Sequence, residues 1–374
     1  MYRILKEDYA FVATENMEDW RREQGWELSG SFPYEINAVE GGKAYQTALY
    51  LAKDSDAVII GSAPETFLEE RMKNRPEGIT FRYSERIYKR GKWRFLSPRG
   101  LLKDAGACFR HRRRRLYLLC ASAYAPGDFL LHGSYLGKCY QWGYFPATIR
   151  YDPAELMSKK TEGRAKLLWC GRFIGWKHPE AAILLAYRLK REGFDFILYM
   201  IGSGEREDRI KAMIGGYGLE ACVKLAGAMS PEQVRSYMEE ADIFLFTSDF
   251  QEGWGAVVNE AMNSGCAVVA SHAAGCVPYL IRDGVNGFIY KNGSGSSLYD
   301  KVRTLLLDRG LCRSLGGRAY ETIATQWNAK TAAERLLLLI DDLNRSGGSD
   351  RFQSGPCSRA KIIGNHWYRD KRTK

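Results

Sequence analysis

The sequence predicts an α/β protein whose second half is a doubly wound parallel sheet. Six short apolar runs recur between residues 166 and 290, separated by segments of helical periodicity. One stretch, residues 242–271, reads as a full strand, loop, helix and strand. At 374 residues and 45% apolar content, the chain is long enough for two domains with cores of their own.

In order, FVAT (Phe11–Thr14) reads as a short strand, followed by a charged helix over Trp20–Glu27. Gly41-Gly42 breaks the chain before a helix over Ala44–Ala52. Asp54 and Asp56 form an Asp-x-Asp that precedes a strand, which suits a turn or helix end. AVIIGS (Ala57–Ser62) is the best strand of this half, and Pro64–Lys73 has proline at a helix start. The basic, aromatic segment FRYSERIYKRGKW (Phe81–Trp93) receives no mechanical role. A helix over Leu101–Arg115 carries the arginine cluster His111–Arg115 and leads into the strand LYLLCAS (Leu116–Ser122). The polar stretch Asp152–Gly163 reads as a linker, giving a first domain over 1–155 and a second over 156–326.

Strands follow at Lys166–Phe173, Phe196–Gly202, Cys222–Gly227, Asp242–Ser248, Ala267–Ser271 and Gly287–Tyr290. Helices lie near His178–Glu192, Arg206–Tyr217, Pro231–Ala241, Gly255–Ser264 and Ser297–Asp308. An amphipathic helix (327–344) and a basic tail (345–374), expected to be mobile, complete the chain.

The net charge of +11 is uneven: residues 345–374 hold eight Lys/Arg against two Asp. Such patches suit anionic lipid or a phosphorylated substrate. Nucleic acid ranks last, because the cations are segregated in the tail and one helix and no binding motif appears. Nine scattered cysteines without a Cys-x-x-Cys pair point to reduced thiols, not to disulfides or zinc. With no long apolar window and no apolar segment at the amino terminus, a cytoplasmic protein is expected, with peripheral contact at an anionic membrane.

The functional signal is EGWGAVVNEAMNSG, Glu252–Gly265. Glu252 falls in the loop at the carboxyl end of a strand, where open α/β sheets place ligands. Glu260 is expected about two turns into the next helix. Gly253 and Gly255 allow close backbone approach. This string resembles the Glu-x7-Glu signature of the family 4 retaining glycosyltransferases of GT-B fold, and Ala261, Met262, Gly265, Val268 and Val269 fit its continuation. Ala267 stands where that family usually has proline.

The resemblance implies two Rossmann-like domains facing a cleft, with the amino-terminal one shortened, and a final helix crossing back to it. KCYQWGYFP (Lys138–Pro146) is similar to the family's strand and linker leading out of the first domain. The resemblance implies that Glu252 contacts the donor sugar and Glu260 the nucleotide ribose, with Trp254 and Ala256 in the same donor-binding stretch. Arg172 and Lys177, in GRFIGWK, match the pair that clasps the diphosphate. Gly202 and Gly204 in IGSGERE, and Gly227 in LAGAMSPEQV, belong to the donor side. Ser230 before Pro231 is a helix cap first, and Gly275, in AAGCVPYLI, is similar to the family's glycine-rich turn before a short helix.

No cluster has metal-ligand spacing, so neither metal nor other cofactor is expected. The implied partners are a nucleotide-sugar donor and a saccharide or lipid-linked acceptor in cell-surface polysaccharide biosynthesis. Family members often carry a functional histidine in the first domain; His111 and His132 are the candidates, and neither matches a motif. The alternatives are a non-catalytic partner subunit that binds nucleotide-sugar, a sugar-nucleotide epimerase and a phosphorylase-like protein.

Overall fold

A computed structural model describes residues 1–16, 32–91, 113–160 and 163–369. The expected charged helix (20–27), the helix over 101–115 up to residue 112, and His111 lie outside the described residues. Internal contacts divide the chain into two units, Met1–Gly143 with Lys330–Ile362, and Tyr144–Ala329 with Ile363–Lys374.

In the first unit β1 (Phe11–Ala13) and β2 (Glu35–Asn37) pair in parallel, and β3 (Ala57–Ile60), β4 (Ile79–Ser84), β5 (Leu116–Cys120) and β6 (Cys139–Gln141) form a parallel sheet in chain order. The segment without an assigned role thus contributes β4. Its inner residues Ile79 and Phe81 are buried, while Arg82 and Tyr83 keep partial exposure and blur the strand pattern. The helix Ala329–Ser346 packs Leu336, Leu339 and Leu343, one stripe of an amphipathic surface, against Ile79, Phe81, Tyr117 and Tyr140.

The tail that follows, expected to be mobile, is packed instead over its described residues, up to 369. The Cys357 amide donates to the Gln141 carbonyl (2.8 Å), the Gln141 amide to Ser358 (2.7 Å), and the Ala360 amide to Cys139 (3.0 Å). These residues run antiparallel along the outer edge of β6. Arg351 pairs with Asp342 at 2.5 Å, and the Ser349 hydroxyl donates to the same carboxylate at 2.6 Å. A Gly/Ser/basic composition concealed this, because the attachment rests on backbone groups and on the buried Cys357.

The second unit contains β7 (Ala165–Cys170), β8 (Phe196–Ile201), β9 (Val223–Gly227), β10 (Ile243–Phe246), β11 (Ala267–Ser271) and β12 (Phe288–Tyr290). All are parallel, in the order β12-β11-β10-β7-β8-β9. The chain winds outward in both directions from β7 and β10, so the order reverses between them. Burial on both faces explains why the central strands β10 and β11 read as continuous apolar runs.

Two features differ from expectation. Residues 152–163, read as a linker, hold the helix Pro153–Ser158, capped by Asp152, with Leu156 buried against Tyr320 and Ala324. Just beyond it the buried Lys160 ammonium donates to the carbonyls of Met238, Ala241 and Ser264 at 2.7–2.8 Å. The helix Arg309–Thr325 was not expected at all, since its glycines disfavour a helix. Gly316 is needed there, because a Cβ would meet the Gly265 carbonyl oxygen at 2.2 Å. Among the described residues no helix is long and apolar enough to cross a membrane.

Candidate active site

The loops leaving β7 (residues 171–178) and β10 (residues 247–256) meet at the point of order reversal. Lys177 and Glu252 form an ion pair across them, each side chain 15% exposed. The Asp249 amide donates to the Trp176 carbonyl (2.9 Å), and the Thr247 hydroxyl to the Lys177 carbonyl. The Trp169 indole N–H in turn holds the Thr247 hydroxyl at 2.8 Å. The Glu252 amide closes a turn onto the Asp249 carbonyl at 3.1 Å. Two loops about 75 residues apart are thereby stitched at several points.

His178 and Asp249, which carried no signal in the sequence, add to this seam. His178 Nε2 lies 3.0 Å from Asp249 Oδ2. Burial pushes the Asp249 carboxyl up, but hydrogen bonds from His178 and the Gln251 amide outweigh it and hold the group below its ordinary range. His178 is left-handed, φ 49°, an uncommon conformation for a residue with a side chain.

Glu260 lies in the first turn of the helix Val257–Asn263, not two turns in, because Gly255 and Ala256 belong to the loop and N-cap. Burial holds its carboxyl above the ordinary range, with Arg235 only partly opposing. Cys170, the last residue of β7, is pushed up to about 12 by burial and then by Glu260, with Lys177 opposing. Cys276 is raised by burial and then by Glu252. Lys177 and Glu252 pair beyond the carboxyl ends of β7 and β10, and Glu260 follows in the first turn of the next helix. Arg172, on the loop of Lys177, lays its guanidinium 5.5 Å from the Trp176 ring centroid.

The expected donor-side glycines divide by what surrounds them. At Gly202 (φ 129°) a Cβ would meet the Gly171 carbonyl oxygen at 2.0 Å, and at Gly204 (φ 149°) the Phe173 carbonyl oxygen at 2.8 Å. Both are needed where the loops after β7 and β8 touch. Gly227 (φ 73°) faces open space, with nothing within 4 Å of a Cβ. Gly255 lets the loop pass the Phe246 ring, which a Cβ would strike at 2.5 Å, and Gly253 is buried.

Trp254 corrects the donor-side list. Its side chain is fully buried, its N–H donates to Asn259 Oδ1 (2.9 Å), and its ring packs on Tyr144, Tyr279 and Trp327. The indole belongs to the core, and only the backbone of Trp254 faces the loop, where its carbonyl accepts from the Cys276 amide (3.2 Å). Gly275 donates its amide to the Glu252 carbonyl (3.3 Å), and Ser230 forms a capping box with Gln233. His132 is buried in the first unit against the Tyr88 hydroxyl. Among the described residues no three His, Cys, Asp or Glu side chains gather as a metal-ligand group.

Residues 156–322 match the family described as Glycosyl transferases group 1. The amylovoran biosynthesis glycosyltransferase AmsK of Erwinia amylovora is 37% identical over 183 residues, 48% of this chain and 45% of that protein. The chain spans about half the length of the curated relatives it matches. A glycosyltransferase from Rickettsia africae superposes with TM-score 0.63 over 92% of both chains at 15% identity. HepE of Anabaena, solved with UDP, does so at 0.61 over 83% of this chain and 86% of its own, at 16% identity. The fold is that of the GT-B glycosyltransferases.

Proposed function

We propose that residues 156–322, which match the family described as Glycosyl transferases group 1, act as a glycosyltransferase domain, and that the chain moves a sugar from a nucleotide-diphosphate donor to a saccharide or lipid-linked saccharide, with retention of anomeric configuration. The Lys177–Glu252 pair supports this most strongly. It forms between the loops at the order reversal of the sheet, where open α/β folds bind ligands.

A departing nucleoside diphosphate gathers negative charge, and fixed cations stabilise it. Arg172 and Lys177 supply two on one loop. Because Lys177 and Glu252 neutralise each other, a diphosphate oxygen that engages the ammonium releases the carboxylate toward the sugar hydroxyls. Glu260 accepts from the ribose hydroxyls, which relieves a carboxylate that burial disfavours. The acceptor hydroxyl attacks the anomeric carbon from the side on which the diphosphate leaves, and its proton passes to the departing phosphate oxygen. No step runs through a metal, so activity should survive a chelator.

Relatives named for amylovoran, colanic acid and lipopolysaccharide core biosynthesis favour cell-surface polysaccharide assembly as the pathway. The basic balance suits peripheral contact with anionic lipid at the cytoplasmic face, each cation near the surface contributing ~1 kcal/mol.

The test is a thermal-shift and calorimetric screen of UDP-, GDP-, ADP- and dTDP-sugars, repeated on Glu260→Ala and Arg172→Ala. One donor should stabilise the parent and fail to stabilise either variant. Equal shifts in all three proteins, or none in the parent, would overturn the assignment.

A further inference from the structure

We propose that residues Asn365–Tyr368 of the tail are a positioning strap for the Glu252 loop, acting through His272. The inference deepens the donor-site reading and rests on it.

After Ile362 the chain belongs to the second unit. There the Trp367 indole N–H donates to the His272 carbonyl (3.3 Å), and the Tyr368 hydroxyl lies 2.6 Å from the Ile289 carbonyl and 3.3 Å from Asp283 Oδ2. His272 Nδ1 accepts the Asn292 amide (2.9 Å). That assigns the ring proton to Nε2, which donates to the Asn365 carbonyl at 3.1 Å. Burial holds the imidazole below its ordinary range and so keeps it in the neutral form that both bonds need.

His272 directly follows β11, and its ring meets Phe250 edge-on, centroids 5.5 Å apart at 89°. Phe250 lies inside the turn closed by the Glu252 amide on the Asp249 carbonyl. A continuous path therefore runs from the tail through one imidazole and one phenyl ring to the turn that presents Glu252 to Lys177. Through this path the tail residues hold the wall against which the turn rests.

Hydrogen exchange at the amides of Gln251–Trp254 tests the strap without needing the substrate. The proteins are the parent, Trp367→Ala, Trp367→Phe and a chain ending at Ile362. Trp367→Ala and the shortened chain should exchange these amides about tenfold faster, with β7 and β10 unchanged and Trp367→Phe intermediate. They should also bind whichever of UDP, GDP, ADP or dTDP the parent binds about tenfold more weakly. Unchanged loop exchange in Trp367→Ala, or faster exchange spread evenly through the second unit, overturns the proposal. Should the shortened chain fail to fold, Trp367→Ala decides alone. A parent that binds none of the four nucleotides counts against the donor reading, while loop exchange still decides the strap.

Discussion

Beyond the carboxyl ends of β4 and β5, the first unit seals Arg86 against Asp128, side chains 1% and 2% exposed, and draws the Tyr88 amide onto the same carboxylate at 3.0 Å. Beyond β7 and β10 the second unit leaves Lys177 and Glu252 partly solvated, in loops that need glycine to pass one another. Both sheets are parallel, and both place charge at the same end. A fully desolvated pair cannot change partners without leaving a buried charge behind, so it fixes a segment in place. A pair that still touches water can exchange its partner for a ligand. The contrast separates an ionic group that holds the fold from one that can do chemistry.

The largest effect that would sharpen this contrast is on stability. Asp128→Ala should cost about 3–5 kcal/mol by urea unfolding, because Arg86 loses its buried carboxylate. Donor affinity in the folded fraction should remain near that of the parent. Lys177→Ala should reverse the pattern, lowering transfer rate on the order of 100-fold or more, with only about 1 kcal/mol lost from folding. Equal unfolding penalties in the two variants would break the comparison.

Gly202→Ala should cost about 2–3 kcal/mol, since the added methyl must displace the Gly171 carbonyl. Gly227→Ala, at φ 73° near the left-handed helical region and with open space around a Cβ, should cost about 1 kcal/mol. Differential scanning calorimetry of the pair should show the larger loss at Gly202, where crowding and a less accessible backbone conformation (φ 129°) act together.

The smallest effect has the opposite sign. Burial raises the folded-state pKa of Glu260, so folding disfavours its ionised form. Its favourable contribution is present below the unfolded pKa and is lost as pH rises through the folded value. At pH 7, Glu260→Gln should therefore melt about 2 °C higher than the parent, while responding less to donor. The gain should shrink as both proteins are brought toward pH 4. A variant that melts lower at pH 7 would contradict the burial of this carboxylate.

Most of the second unit was legible in the sequence. Strands such as Ile243–Phe246 and Ala267–Ser271 are covered on both faces and read as apolar runs, with Ser271 at the very end as their one polar residue. The strand-loop-helix setting of Glu252 and Glu260 was legible, though not the first-turn position of Glu260. Ile79–Ser84 was not, because a half-exposed strand with Arg82 and Tyr83 imitates a loop. The helix Arg309–Thr325 was hidden by its glycines, of which Gly316 is required for close packing against Gly265. Trp254 was placed on the donor side through the family resemblance of its stretch, and its burial and packing on Trp327 reveal a core side chain. The His178–Asp249 contact joins residues 71 apart and leaves no local trace.

Cys357–Ala360 also has a consequence for handling the protein. By lying along β6 it occupies donors and acceptors that would otherwise recruit a strand from a neighbouring molecule. A recombinant product trimmed at Gly347 to remove what looks like a dispensable extension should form strand-exchanged dimers or aggregates. A purification tag is better placed at the opposite terminus.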